Sequence, residues 1–181
     1  MATKGLAPRA TAESLEIAVK IDGKQYRLKV DTRTTLLDAM REGLGVTSPK
    51  KGCDRGQCGA CTVLLDGRRV ISCLPLAVQY DGSEIITADG LSENGKLHPL
   101  QRAFIEQDAF QCGYCTPGQI TSAVGMLQES MAGWPSVVSK DLNAEKVALD
   151  DDEIRERMSG NLCRCGAYVN IVRAIAEVAS Q

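Results

Sequence analysis

Eight cysteines carry the chemistry available to this 181-residue chain, and they fall into two sets of four: Cys53, Cys58, Cys61 and Cys73, then Cys112, Cys115, Cys163 and Cys165. The first set reads C-x4-C-x2-C with a fourth cysteine after eleven intervening residues, the loop spacing of a plant-type [2Fe-2S] ferredoxin. The second reads C-x2-C, forty-seven intervening residues, then C-x-C. Two complete tetrathiolate sets with no cysteine left over imply two metal clusters. Two one-electron centres in one small chain imply an electron relay.

Other uses of cysteine fit less well. Disulfide scaffolds are short, secreted chains above about 8% cysteine, whereas 8 of 181 residues is about 4%. Structural zinc takes four thiolates and would suit the C-x2-C half of the second set, but zinc sites usually pair two short knuckles. C-x4-C-x2-C instead gathers three thiolates in one loop. A C-x2-C near a helix can also be a thioredoxin-like redox pair, but no βαβ pattern surrounds Cys112 and Cys115.

The first loop, Lys51 to Cys61, carries Gly52, Gly56 and Gly59, which let the backbone adopt positive φ and wrap closely around an object with its N–H groups inward. N–H···S bonds and the charges of Lys50, Lys51 and Arg55 would favour the reduced, more anionic form of a cluster. An ordinary solvated surface is the competing reading of those three cations.

Composition bounds the rest. Formal net charge is −2 and hydrophobic content 44%, with no apolar run approaching the ~20 residues of a membrane span. Dispersed basic residues in a mildly acidic chain give no reason to expect nucleic acid. Pro8-Arg9 is not a twin-arginine pair and no apolar signal core follows it, so the expected compartment is the cytoplasm. No general base or nucleophile stands out: His98, the one histidine, precedes Pro99 at a helix start and reads as a capping or surface residue. Trp134 reads as packing.

The elements that must position the cysteines can be read from periodicity. Residues 1–13 lack it and read as a disordered tail. Leu15, Ile17, Val19 and Ile21 alternate, Asp22-Gly23 turns, and Tyr26, Leu28 and Val30 alternate back. Thr34 or Thr35 can cap a helix carrying Leu36, Leu37, Met40 and Leu44, with Gly43 and Gly45 as stops. Strands over 60–65 and 68–74, joined by Asp66-Gly67, and another over 84–87 complete a β-grasp pattern. It places Cys61 at a strand start and Cys73 near the end of the next strand.

After a polar linker at 92–95, helices are expected from His98-Pro99 and over 117–131, 150–158 and 168–179. Residues 132–149 read as a surface loop. The fold class is α+β: a ferredoxin-like β-grasp domain over 14–90, then a helical cluster-binding domain over 91–181 arranged as a four-helix bundle. Both cysteine pairs of the second set fall just before helix starts, where positive dipole ends and free N–H groups favour thiolates and an anionic cluster.

The segments Gly52-Cys53-Asp54-Arg55-Gly56-Gln57-Cys58-Gly59-Ala60-Cys61-Thr62, Gln111-Cys112-Gly113-Tyr114-Cys115-Thr116-Pro117-Gly118 and Gly160-Asn161-Leu162-Cys163-Arg164-Cys165 resemble the small iron-sulfur subunit of xanthine oxidase-family molybdenum hydroxylases. The likeness covers about residues 15 to 180. Cys165-Gly166-Ala167-Tyr168 and the wording around 98–119 look most like bacterial aldehyde oxidoreductases of the periplasmic three-subunit type.

The resemblance implies two [2Fe-2S] clusters here, a large partner subunit with molybdopterin cytosine dinucleotide and a medium one with FAD. It places the second-set cluster nearest the molybdopterin, the first-set cluster nearest the flavin, and Gln111 and Cys165 against the pterin. Substrate oxidation, of an aldehyde to a carboxylic acid, would occur on the large subunit and none on this chain. A stand-alone two-cluster ferredoxin, or the small subunit of an N-heterocycle or carbon monoxide dehydrogenase, is the alternative. Exported relatives of this kind make the periplasm the alternative compartment if a signal has been removed.

Overall fold

The computed structural model describes residues 13–181, so the tail expected over 1–13 lies outside the described residues except for Glu13. Five strands form one mixed sheet in the order β2-β1-β5-β3-β4. Strands β1 (Ser14–Ile21) and β2 (Lys24–Asp31) pair antiparallel through Asp22-Gly23, at φ +49° and +79°. Strands β3 (Thr62–Leu65) and β4 (Arg68–Ile71) do the same through Asp66-Gly67, at +47° and +80°. Two successive positive φ values match the turn to strand twist, and Asp-Gly supplies them at little steric cost. Strand β5 (Glu84–Ile86) joins the hairpins, parallel to β1 and antiparallel to β3.

The expected second hairpin is therefore shorter than its pattern. Strand β4 stops at Ile71, and Cys73 sits in the turn beyond it. The chain leaves the ladder there because its carbonyls serve another element: Ser72 O accepts from Leu37 N–H at 2.9 Å and Pro75 O from Leu36 N–H at 2.8 Å. Those two donors open helix α1 (Leu36–Asp38), capped by Thr35 Oγ1 accepting from Asp38 N–H at 3.1 Å. The single α-helix expected here continues as a π-helical turn, Ala39–Gly43, and ends at a left-handed Gly45.

Alternation then sorts the side chains into two cores. Ile17, Val19 and Ile21 of β1, Val63 and Leu65 of β3 and Ile85 pack on Leu36, Ala39 and Met40. Each of the buried Ile, Val, Leu and Met side chains contributes roughly 1.5–3 kcal/mol. Leu64, pointing the other way, enters a second core built by the helices. That is why β3 is buried along its whole length.

The helices are α2 (Pro99–Glu106), α3 (Thr116–Met131), α4 (Asp151–Met158) and α5 (Tyr168–Ala179). Helix α2 packs on α3 and α5, α4 packs on the same two, and α3 lies against β3 and β4. Leu100, Phe104, Met126, Ile154 and Ile175 are fully buried between them. His98 caps α2, its Nδ1 accepting from Leu100 N–H at 3.2 Å, as its position predicts. Residues 132–149 form no helix or strand but are pinned: Val147 N–H donates to Ser130 O at 3.0 Å, and Ser136 Oγ–H to Glu153 at 2.8 Å. No helix among the described residues is long and apolar enough to cross a membrane.

Candidate metal centres

The Lys51–Cys61 loop is irregular backbone between the π-helical turn and β3, shaped by left-handed residues at Asp54 (φ +55°), Gly56 (+76°) and Gly59 (+67°). The expectation of positive φ fails at Gly52. That glycine is needed for space instead, since a Cβ there would stand 2.8 Å from Cys58 Sγ. Backbone donors do turn inward: Gln57 N–H points at Cys53 Sγ (3.2 Å) and Gly56 N–H at Cys73 Sγ (3.3 Å). Cys61, at the foot of β3, and Cys73 are buried against Leu37.

The second set is assembled from two helix starts. Cys115 is the N-cap residue of α3, and Cys163 and Cys165 lie in the turn leading to α5, where Ala167 N–H points at Cys163 Sγ from 3.5 Å. Cys112 and Cys165 are exposed; Cys163 is buried.

Within each set the thiols perturb one another: Cys53 responds to Cys58 and Cys61 to Cys73, while Cys112 responds to Cys165, Cys165 also to Cys163, and Cys115 to both Cys163 and Cys112. Among the described residues no three His, Cys, Asp or Glu side chains converge as a single ion would require. A tetrahedral zinc site needs four donors around one point. A [2Fe-2S] cluster needs two thiolates on each of two irons, a donor set that the four cysteines of each set supply. A cleft of about 480 Å³ lies between the sets, lined by Cys53 and Cys58 from one and Cys112, Cys115 and Cys163 from the other. Thr116 Oγ1, next in sequence to Cys115, is buried without a protein partner and leaves a donor for a non-protein group.

Each set is electrostatically uneven. Backbone N–H groups of Arg55 and Gln57 lower the Cys53 thiol to about 7. The Tyr114 N–H, and then Cys165, lower Cys112. Burial pushes Cys61 up to about 11 and Cys115 to about 12.

The two sets are bolted together by residues that the sequence reading left unassigned. Leu162 N–H donates to Cys58 O at 2.9 Å, and Tyr114 O–H to Lys51 O at 2.8 Å. Asn161 Nδ2 donates to Gly59 O at 3.0 Å and Gly118 O at 3.2 Å, and Asn161 O accepts from Gln119 at 2.7 Å. Farther along the same interface, Arg69 grips Glu129 with two bonds of 2.8 and 2.6 Å and reaches Arg157 O at 2.9 Å. Gly125 leaves room for Arg69, because a Cβ there would meet its stem.

Other expected positions divide. Lys51 pairs with Asp38 at 2.8 Å and Asp54 at 3.2 Å, so its charge is largely balanced locally, and Lys50 Nζ is spent on Thr47 O. Arg55 bonds Cys53 O at 3.3 Å. Gln111 is exposed in the α2–α3 turn. Trp134, expected only to pack, has the Arg68 guanidinium 5.0 Å above its ring.

A mixed sheet and a helical half, each carrying one cysteine quartet, define a two-site iron-sulfur protein. Residues 19–89 match the 2Fe-2S iron-sulfur cluster binding domain and residues 87–176 the [2Fe-2S] binding domain. The aldehyde oxidoreductase iron-sulfur-binding subunit of Escherichia coli is 56% identical over 178 residues, covering 96% of this chain and 76% of that one. The nicotine 6-hydroxylase small subunit of Paenarthrobacter nicotinovorans is 41% identical over 170 residues, covering 94% and 93%. Among solved structures, quinoline 2-oxidoreductase from Pseudomonas putida 86 superposes with a TM-score of 0.79 at 42% identity, covering 92% of this chain and 93% of that one. The chain belongs to the small iron-sulfur subunits of the xanthine oxidase family of molybdenum hydroxylases.

Proposed function

We propose that this chain is the electron-relay subunit of a molybdenum hydroxylase that oxidises aldehydes to carboxylic acids. Cys53, Cys58, Cys61 and Cys73 would hold one [2Fe-2S] cluster and Cys112, Cys115, Cys163 and Cys165 the other. When bound, the clusters supply one-electron carriers between molybdopterin cytosine dinucleotide on a large partner and FAD on a medium one. The two cysteine quartets, the first in C-x4-C-x2-C spacing and each inside a segment that matches a 2Fe-2S binding domain, carry this reading.

The chain's own residues hold the thiolates, aim N–H groups at sulfur and keep the sets apart at a fixed junction. Strand order and helix contacts support a β-grasp domain over 14–90 and a four-helix bundle over 91–181. The exposed pair Cys112 and Cys165, with exposed Gln111 nearby in sequence, suits a face presented to the pterin. The 56% identity to the Escherichia coli subunit supports an aldehyde. The likeness to nicotine and quinoline enzymes makes an N-heterocycle the second reading.

The test is co-expression with the neighbouring genes and analysis of the purified complex. Iron at about four per chain, the number two [2Fe-2S] clusters require, with molybdenum and flavin in the same particle, is the expected result. A chain that purifies alone with stable clusters, or with zinc, contradicts it.

A further inference from the structure

Asn161 is not a cluster ligand in the relay reading above, yet it sits in one of the segments that carry the ligands and touches two others. The residue is 6% exposed. Its Nδ2 lies 3.0 Å from Gly59 O, 3.2 Å from Gly118 O and 3.3 Å from Thr62 Oγ1. Gly59 stands between Cys58 and Cys61, Gly118 is three residues past Cys115, and Asn161 itself is two before Cys163. The neighbours leave no slack: a Cβ on Gly59 would stand 2.6 Å from Asn161 Nδ2, and one on Gly118 would overlap Gly59 O.

The backbone around Asn161 is held independently of its side chain. Asn161 N–H donates to Met158 O at 2.9 Å, its carbonyl accepts from the buried Gln119 at 2.7 Å, and Leu162 N–H reaches Cys58 O at 2.9 Å. Gly59 O also keeps two bonds from Thr62, from N–H at 3.1 Å and Oγ–H at 2.7 Å. Satisfying that carbonyl is therefore not what the carboxamide is needed for. What it adds is a cross-tie from the Cys163 segment to two others at once.

We propose that Asn161 is a positioning residue for the relay, its carboxamide fixing the separation and orientation of the two cysteine quartets. The proposal rests on the two-cluster reading given under Proposed function. The step it serves moves one electron from one quartet's cluster to the other's, with no bond made or broken and no proton moved, and because the carboxamide bonds backbone oxygens and a hydroxyl rather than sulfur, what it sets is the placement of the quartets.

The test is low-temperature EPR of the reduced, co-expressed complex. Two nearby S = 1/2 centres split each other's signals, and the dipolar part falls with the inverse cube of their separation. Asn161→Ala is expected to retain about four irons per chain, as two [2Fe-2S] clusters require, and both signals, while the splitting narrows or is lost. Asn161→Ser, a smaller perturbation, gives the same readout should the alanine variant not fold. Arg69→Lys loosens the far side of the same interface by removing the bonds to Ser122 and Arg157 O, and is expected to keep the native splitting. Native splitting in both Asn161 variants, or equal loss in Arg69→Lys, overturns the proposal. A native complex without two signals overturns the relay reading itself.

Discussion

Gly118 on α3 lies so close to Gly59 in the first cysteine loop that a methyl group built on it would overlap the Gly59 carbonyl oxygen and stand 2.9 Å from that of Ala60. Both obstacles are backbone, so neither can rotate away. Gly118 has no left-handed φ that would oppose substitution; its constraint is contact between the two cluster-bearing halves. An alanine in a helix ordinarily stabilises by about 1 kcal/mol relative to glycine. Gly118→Ala is expected to do the reverse, costing about 1–3 kcal/mol as overpacking does, read as a lower urea midpoint of the cluster-loaded chain.

Each quartet is expected to stand or fall by itself. Cys73 belongs to the first set and Cys163 to the second. Cys73→Ala and Cys163→Ala should each remove one EPR signal and lower iron from about four to about two per chain, each leaving the other signal in place. Loss of both signals from either single variant would mean one shared metal site.

The pair Arg157 and Glu153 is the most deeply buried ion pair of the described residues, at 3.0 Å with side chains 4% and 5% exposed. Burial pushes the Glu153 carboxyl upward, but bonds from Ser139, Ser136 and Arg157 outweigh it and hold the carboxyl below the ordinary range. Glu153→Leu strands a buried guanidinium and is expected to cost roughly 3–5 kcal/mol.

Acid should erase that difference. The folded pKa of Glu153 lies below the unfolded value, so its contribution is complete above the ordinary glutamate pKa of about 4.3 and is lost as pH falls through the folded value. Melting temperatures of the native chain and of Glu153→Leu should differ most near neutrality and approach each other only as pH falls below the ordinary glutamate range. A constant gap across pH would exclude the charged carboxylate as the cause.

Stripping iron and sulfide under reducing conditions should expose the unevenness of the sets. At pH 7 a thiol at about 7 is half thiolate, whereas Cys61 at about 11 and Cys115 at about 12 are almost wholly protonated. Brief alkylation followed by peptide mass mapping is expected to label Cys53 and Cys112 before Cys61 and Cys115. Equal labelling of all four would show that the loop N–H groups do not persist without the cluster.

What was legible in the sequence was what depends on short spacing. Asp22-Gly23 and Asp66-Gly67 announced both hairpins because a two-residue turn needs two positive φ values. Pro99, Asp150, Gly43 and Gly45 marked helix ends for equally local reasons. Strand β4 was misjudged at Cys73 because the alternation of 68–74 continues past Ile71, while the bonds that draw Ser72 and Pro75 to α1 join residues far apart in sequence. Long-range polar contacts were illegible for the same reason. Asn161 appeared inside a telling motif, but its partners lie 43 and 102 residues away. Arg69 carries no local sign of its role, since its partners Glu129 and Arg157 lie 60 and 88 residues away and the space it needs is left by Gly125 on another element.

Every role given to this chain depends on its holding two two-iron centres that exchange single electrons. That property is tested most directly by low-temperature EPR of the co-expressed complex during graded dithionite reduction, with iron and zinc measured on the same sample. Two distinct S = 1/2 signals that grow in at different potentials, with about four irons per chain as two [2Fe-2S] clusters require, is the expected result. Zinc in place of iron with no signal, or one signal from two irons, would contradict it.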